Sequence, residues 1–392
     1  MTPAARVQAA IDILDSVTAS ARDDGPPADT IVAAYFKTRR YAGAKDRRAV
    51  RELAYRAIRH AGELPPTGRS AMLGLAAADP EVAAAFDGSA HGPPTIGAKE
   101  HSAKASLLPR WIEPELSPLV KAGELGALVM RAPLDLRVNF ARTTREEMLA
   151  EFAGSTPTPL SPWGIRLPAD SRADQHPAFL DGRVEVQDEG SQLVALACRA
   201  APAMRIVDLC AGAGGKALAL AAATQNAVEL IACDTNRQRL QRLAPRADRA
   251  GAAIAMRLLN APKEAEALAD LAATADIVLV DAPCSGSGTW RRSPEGRWRI
   301  TPGRLERVAA LQAHILDLAA PLVKPGGALV YAVCSILSRE GADQVAAFLG
   351  RHSGWQAQDA LDGMGRVEGP GRLLTPGHDE TDGFFVARLI RP

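Results

Sequence analysis

Two cysteines and an aspartate could form a nucleophilic site, because each lies at the end of a predicted strand or just after it. Cys284 lies in the run Asp281-Ala282-Pro283-Cys284, and Cys334 lies in the run Tyr331–Ser335. Each cysteine follows an apolar stretch that predicts a buried β-strand. In an open α/β sheet, reacting groups gather outside the carboxyl ends of the strands. We therefore predict that both thiols and the carboxylate share one site, with one thiol as a nucleophile and the other as its helper.

A glycine-rich loop follows the first strand of the predicted sheet. The loop, Cys210–Lys216, precedes a predicted helix, and Asp234 ends the next strand. Glycines permit a tight turn and let a ligand approach the backbone closely. An acid at Asp234 can accept hydrogen bonds from ribose hydroxyls. The pattern matches GxGxxA and is consistent with either NAD or S-adenosylmethionine, and it leaves open a turn that binds nothing.

The two cysteines favour methyl transfer over hydride transfer. Carbon 5 of a pyrimidine is a poor nucleophile, and a thiolate that adds to C6 pushes electron density onto C5, which then takes a methyl group from a sulfonium. A base must afterwards remove the C5 proton so that the thiolate can leave. A carboxyl group at the N3 edge can hold the flipped base. Cys284, Cys334 and Asp281 supply these groups, without deciding which cysteine attacks.

Several segments together resemble the RsmB and Sun group of RNA cytosine-5 methyltransferases. They occur in the family's order, namely Val186–Val194, the loop through Lys216, Asp281–Gly288, Tyr331–Ser335 and Thr381–Ala387. The helical N-terminus is similar in kind to the bacterial RsmB branch. The resemblance implies an S-adenosylmethionine-dependent enzyme that forms 5-methylcytosine in RNA, with 16S ribosomal RNA as the expected partner. A transfer-RNA substrate, or an idle domain in an RNA-binding ribosome-assembly factor, stays open as an alternative.

The resemblance also implies roles for individual residues. In the family the later cysteine is the nucleophile, which assigns attack on C6 to Cys334 and product release to Cys284, with Asp281 as the third catalytic residue. Binding of the cofactor is assigned to Cys210, Ala211, Gly212, Ala213, Gly214, Gly215, Lys216, Asp234, Asn260 and Asp281. Two positions depart from the family pattern: Val333 stands where Thr is usual, and Asn260 stands where Asp is usual.

Two arginine-rich segments are candidate RNA contacts. The first follows Cys284 and contributes Arg291, Arg292, Arg297 and Trp298, because cations beside an aromatic ring suit phosphate contact and base stacking. The second, Lys37–Arg59, carries nine Lys or Arg residues and two acidic ones. It is either a solvated helical face or a phosphate-contacting surface. Arg137, in a segment that resembles the family's small RNA-binding module, is a further predicted contact.

The elements that must position these residues alternate between strand and helix from about residue 191. The predicted strands are 205–209, 228–233, 254–259, 276–281, 328–333 and 384–389, and the predicted helices are 215–224, 236–250, 302–322 and 338–349. This alternation predicts a doubly wound, mostly parallel sheet. We therefore predict an α/β, Rossmann-like S-adenosylmethionine-dependent methyltransferase domain over 191–392. An N-terminal helical domain (1–90, NusB-like), a linker with short helices (91–127) and a small α+β RNA-binding module (128–190) precede it.

Composition limits the other classes of function. The chain has 392 residues, 47% of them hydrophobic, and a net charge of +1, so RNA contact must come from local patches. Five cysteines without a CxxC pair fit neither a disulfide framework nor a zinc site. We expect no metal, no membrane segment, a cytoplasmic location and a monomer. Cys198, Cys210 and Cys233 are expected to be small buried hydrophobes, and His314 a structural residue.

Overall fold

The computed structural model describes residues 1–168 and 171–392, which form two compact units. The helical unit comprises Met1–Leu116, Leu125–Met130 and Thr289–Pro302. The sheet unit comprises Ser117–Glu124, Arg131–Gly288 and Gly303–Pro392. The predicted boundary at residue 90 lies inside the helical unit, and the predicted linker contributes to both units. The physical reason is that the chain after residue 90 continues to pack on the helices: the Ala103 amide donates to the Ser70 carbonyl.

Helices occur in both units. In chain order they are α1 (Pro3–Arg22), α2 (Ala28–Lys37), α3 (Ala44–His60), α4 (Gly68–Ala78), α5 (Pro80–Ala84), α6 (Arg145–Glu151), α7 (Pro177–Leu180), α8 (Glu189–Ala197), α9 (Gly215–Ala223), α10 (Arg237–Gln241), α11 (Leu243–Ala250), α12 (Glu264–Ala267), α13 (Gly296–Arg299), α14 (Pro302–Ala319) and α15 (Ala342–Arg351).

Strands belong to the sheet unit. In chain order they are β1 (Leu134–Val138), β2 (Thr156–Pro157), β3 (Gly164–Leu167), β4 (Val184–Val186), β5 (Arg205–Asp208), β6 (Glu229–Asp234), β7 (Ala255–Leu258), β8 (Ala275–Asp281), β9 (Val323–Val333), β10 (Gln356–Gln358), β11 (Arg366–Glu368), β12 (Gly371–Leu374) and β13 (Phe384–Ile390).

The helical unit is built around the apolar stripe of α1. The Thr2 hydroxyl caps this helix by accepting from the Ala5 amide, and Val7, Ile11 and Leu14 are buried at the spacing of one helical face. Helices α3 and α4 pack against α1. Helix α13, which is distant from α1 in sequence, also packs against α1 and contributes Trp298 to the same core.

The sheet unit contains a small antiparallel sheet and a large sheet. The small sheet has the strand order β2-β3-β1-β4, and its apolar face packs with α6 and α7 around Leu136, Val138 and Ile165. The large sheet has the order β11-β12-β13-β9-β8-β5-β6-β7, with β10 paired to β13. Neighbours from β7 to β9 pair in parallel, and β13 is antiparallel to β9. The predicted Rossmann-like α/β fold is confirmed.

The differences from the predicted elements have local causes. The helix predicted over 236–250 is divided into α10 and α11, because Pro245 has no N–H to continue the hydrogen-bond ladder. Strands β10, β11 and β12 were not predicted, since they are short and β10 is fully exposed. Their sequences therefore lack the apolar run that a buried strand shows.

Among the described residues, we find no helix with both the length and the apolar character that crossing a bilayer requires.

Candidate active site

A pocket of about 770 Å³ lies at the carboxyl ends of the parallel strands. Asp208, Asp234 and Asp281 end β5, β6 and β8, and all three line the pocket. Cys284 and Cys334, which follow β8 and β9, line it as well. Parallel strands end at one edge of the sheet, so a single pocket collects side chains that are far apart in sequence.

The glycine-rich loop forms one wall of the pocket. Gly212 and Gly214 have φ angles of 56° and 82°, which lie in the left-handed region that favours glycine. The Gly212 amide donates to Asp234 at 2.7 Å, and a side chain at Gly212 would meet open space. Gly214 instead supports the wall, because a Cβ there would collide with Leu243 at 2.1 Å. The loop therefore presents bare backbone beside a carboxylate.

Asp208 is a pocket residue that the sequence analysis did not assign. Its side chain is buried, and its two oxygens make no hydrogen bond of normal geometry within the described part of the chain. Burial and the nearby charge of Asp281 raise the pKa of Asp208 to about 7, although Lys216 and the Cys210 amide oppose the shift. The signal that could have identified it is an acid at the end of a buried strand, directly before a glycine loop.

Lys216 and Asp281 form a buried ion pair in the centre of the pocket. Lys216 Nζ lies 2.6 Å from Asp281 Oδ2, and the lysine side chain is 8% exposed. Burial lowers the pKa of Lys216, but the charge and hydrogen bond of Asp281, together with a thiolate at Cys334, raise it overall. The Lys216 ammonium therefore lies within electrostatic reach of both Asp281 and Cys334.

The sulfur atoms of Cys284 and Cys334 lie 3.2 Å apart. Hydrogen bonding to Cys334 is the main reason that the pKa of Cys284 is raised well above its ordinary value, followed by burial and by the charges of Cys334 and Glu340. Cys284 is therefore held as a thiol beside Cys334.

The buried carboxylate of Glu340 connects the loops that carry the two cysteines. It accepts hydrogen bonds from Ser285, which follows Cys284, and from Ser335, which follows Cys334. Sequence analysis placed this residue at the start of a predicted helix, 338–349, and missed it. The structure begins α15 at Ala342, so Glu340 lies in the preceding turn.

Other residues of the pocket differ from expectation. His314 was predicted to be structural, but its side chain is exposed and lines the pocket from α14, as Leu311 does. Asn260, a predicted cofactor residue, is exposed, and its neighbour Leu259 lines the pocket. Cys210 also lines the pocket, whereas Cys198 and Cys233 are buried hydrophobes as predicted.

Arg137 was predicted to contact RNA, and the structure contradicts this. Its side chain is 2% exposed, and its guanidinium donates to the Gly215 carbonyl at 3.1 Å. Burial lowers the pKa of Arg137 to about 10, partly offset by the charge of Glu185. The side chain ties the small sheet to the beginning of α9 and so supports the glycine-rich loop from behind.

Most of the predicted RNA contacts in the Arg291–Arg299 segment are also buried. Arg297 and Trp298 are buried inside the helical unit, where Arg297 donates to the Ile58 carbonyl and Trp298 to the Ala61 carbonyl. Arg291 is buried as well. These three side chains are therefore not available to RNA, because they face the protein interior. Arg292 is half-buried and stays a prediction.

Comparison with known proteins identifies the family of this chain. A family model described as 16S rRNA methyltransferase RsmB/F matches residues 195–390. The chain belongs to the RsmB/F family. The match begins within α8 and ends at the last residue of β13, so it contains the glycine-rich loop and both cysteines. The resemblance on which the sequence analysis depended is thus confirmed.

Curated relatives of this RsmB/F chain carry the name ribosomal RNA small subunit methyltransferase B. The protein of Salmonella typhi is 37% identical over 265 residues, which is 67% of this chain and 60% of the relative. The protein of Xanthomonas campestris pv. campestris is 37% identical over 269 residues, with 66% and 60% covered. The aligned part therefore spans about three-fifths of the relatives' length.

Solved structures share the fold of this RsmB/F chain. The crystal structure of PH0851 has a TM-score of 0.78 at 22% identity and covers 99% of both chains. NSun6 from Pyrococcus horikoshii, solved with SFG, has a TM-score of 0.62 at 19% identity and covers 69% of this chain and 93% of that one. At 19–22% identity, these structural similarities show a shared fold.

Proposed function

We propose that this chain is an S-adenosylmethionine-dependent RNA cytosine-5 methyltransferase that forms 5-methylcytosine in 16S ribosomal RNA. The observation that carries the proposal is the pair of thiols 3.2 Å apart, in the same pocket as a lysine–aspartate ion pair and a glycine-rich loop. Membership of the RsmB/F family supports the same reaction. A ribosomal RNA substrate would place the protein in the cytoplasm.

The pocket residues fit S-adenosylmethionine. The open space beside Gly212 and the partly unsatisfied carboxylate of Asp208 suit a polar, cationic ligand. Asp234 is placed to accept hydrogen bonds from ribose hydroxyls, while Leu259 and Leu311 offer apolar walls. When bound, S-adenosylmethionine supplies an electrophilic methyl group on a sulfonium.

Cys334 is the proposed nucleophile. Its sulfur, as the thiolate, forms a bond to C6 of cytosine, and the electron pair of the C5–C6 double bond moves towards C5. Asp281, which holds Lys216, is proposed to lie at the N3 edge of the base. The chain thereby makes C5 nucleophilic and holds the ring in place.

Cys284 is proposed to act in product release. The main cause of its raised pKa is Cys334, and that influence weakens once the Cys334 sulfur is bound to carbon and uncharged. Cys284 then loses its own proton to solvent water more easily. Its thiolate takes the C5 proton, and the electron pair of the C5–H bond restores the C5–C6 double bond as Cys334 leaves with the electrons of the sulfur–C6 bond. The order of events is set by the charge on one sulfur.

RNA contact is proposed for the exposed cations of the Lys37–Arg59 segment. Lys37, Arg40, Lys45 and Arg48 are exposed, and within the described residues they make no ion pair. Tyr41 lies among them with 75% of its surface exposed, which suits stacking on a base. Together with Arg292, these residues form the remaining candidate contacts.

The test is methyl transfer by the purified chain to 16S and transfer RNA, read by bisulfite sequencing. We expect one 5-methylcytosine in 16S RNA, no product with Cys334→Ala, and a denaturant-resistant protein–RNA adduct with Cys284→Ala. Cys198→Ala, which changes a buried cysteine that does not line the pocket, is the control. Full turnover by Cys334→Ala would disprove the nucleophile assignment, and methylation of transfer RNA alone would disprove the substrate.

A further inference from the structure

Both cysteine loops are held by the same buried side chain. One oxygen of Glu340 accepts from the Ser285 amide at 2.7 Å and from Gln312 at 3.1 Å. The other accepts from the hydroxyls of Ser285 and Ser335. Gln312 also donates to the carbonyl of Pro283, the residue before Cys284, at 2.9 Å. The carboxylate is thus bonded to the chain immediately beside each thiol.

The contacts of Glu340 do not follow from burial alone. Glu368 is another buried glutamate of the same unit, and it accepts from Ser338, which lies four residues after Cys334 and not beside either cysteine. Glu340 is also buried, with 0% exposure, but its side chain bonds the residues beside both cysteines, and its backbone carbonyl accepts from the Tyr331 hydroxyl of β9. It is therefore fixed to the strand that leads to Cys334 and bonded to the loop that carries Cys284.

We propose that Glu340 is a positioning residue that holds the Cys284 and Cys334 thiols at reacting distance and places its carboxylate beside the loop that carries Cys284. This inference rests on the proposed function for what the thiols do. The distance between the two thiols is independent of the proposed function and can be measured without RNA.

Several titratable groups surround the two sulfurs, and each of them influences the charge on Cys284 or Cys334. Cys334, Glu340 and Tyr331 lie around Cys284, and Lys216, which is paired with Asp281, lies near Cys334. Of the acidic groups around Cys284, Glu340 is the one bonded to both loops. Its negative charge opposes a second negative charge on the Cys284 sulfur.

The experiment uses phenylarsine oxide on the full chain, without RNA or S-adenosylmethionine. The arsenic forms a bond to each of two neighbouring sulfurs, and its oxygen leaves as water with the two thiol protons. The rate of bridging, followed by mass spectrometry, therefore reports how well the thiols are held together. Iodoacetamide, which reacts with one thiol at a time, measures the reactivity of each cysteine separately.

Three variants separate position from charge. Glu340→Ala removes the connection between the loops, and we expect bridging to slow by about tenfold or more. Glu340→Gln keeps the shape and can still bond both serines, so bridging should be no slower than in the wild type. Glu368→Gln, the matched buried control, should also bridge like wild type. A folded Glu340→Ala protein that bridges at the wild-type rate would overturn the positioning role.

The pH profile of Cys284 alkylation tests the charge. In a Cys334→Ser background, Glu340→Gln should shift this profile to lower pH, so that Cys284 reacts about tenfold faster near pH 8. An unmoved profile would overturn the charge role, even if Glu340→Ala fails to fold. A chain that bridges as expected but transfers no methyl group to RNA would contradict the proposed function and leave this inference standing.

Discussion

Two arginine-rich segments of the helical unit resemble each other in sequence, yet one is largely exposed and the other largely buried. The Lys37–Arg59 segment places its apolar residues, such as Val50 and Ala54, in the core and its cations on the opposite face of α3. In the Arg291–Arg299 segment, Arg297 and Trp298 lie in the interior.

The difference arises at the end of α3. The last carbonyls of a helix have no partner inside the helix, and this end carries partial negative charge. Arg297 and Trp298 donate to the carbonyls of Ile58 and Ala61 at that end. A cation can therefore be buried where it satisfies carbonyl oxygens that would otherwise be unpaired, and clustered charge alone does not predict exposure.

Trp298→Ala should give the largest change. It removes a core aromatic ring and the donor to Ala61, so we expect the helical unit to lose about 3–5 kcal/mol of stability. Urea unfolding followed by circular dichroism measures this. Tyr41→Ala, an exposed aromatic of the other segment, is the control. A loss no larger than that of the control would mean that the two segments do not differ as described.

Arg297→Met should rank second. Methionine can fill the space of the aliphatic stem but removes the side-chain donor to the carbonyls of Ile58 and Leu107. We expect a loss of about 2–3 kcal/mol, because the buried Ile58 carbonyl is then left without the Arg297 donor. Arg48→Met, on the exposed segment, should change stability little in the same denaturation assay, and equal losses would contradict the comparison.

Glu295→Gln should have a smaller effect of opposite sign. Burial is the main cause of the raised pKa of Glu295, which accepts from the Ala28 amide. The folded unit is more stable when Glu295 is protonated. This extra stability is fully present below the pKa of Glu295 in the unfolded chain, near 4, and it is lost as pH rises through the higher pKa of the folded state. Gln therefore stabilises the unit by about 1 kcal/mol at pH 7 and by nothing near pH 4. Thermal unfolding at both pH values decides this, and an equal gain at both would contradict it.

Removing exposed cations should have the smallest effect on stability. Combined replacement of Lys37, Arg40 and Arg48 by Ala should leave the unfolding transition within about 0.5 kcal/mol for each site. RNA affinity should fall, and the slope of log affinity against log salt should decrease by roughly 0.7 for each cation. An unchanged salt slope would show that this segment is only a solvated helical face.

The chemistry of the site could be predicted because it depends on local order along the chain. Cys284, Cys334, Asp281 and the glycine-rich loop each follow a buried strand, and strand ends of one parallel sheet meet at one edge. The RNA contacts could not be predicted in the same way. Whether Arg137 or Arg297 faces solvent depends on which carbonyl oxygens other elements bring near it.

The sequence by itself determined the α/β alternation, the family and the identity of the two thiols, since these follow from periodicity and from motifs of adjacent residues. Only the tertiary structure decided that Glu340 connects both cysteine loops, that Asp208 faces the pocket and that the arginine segment after Cys284 is buried. Each of these depends on partners distant in sequence, and burial together with hydrogen bonding to such partners determines which charged groups a fold can hold inside.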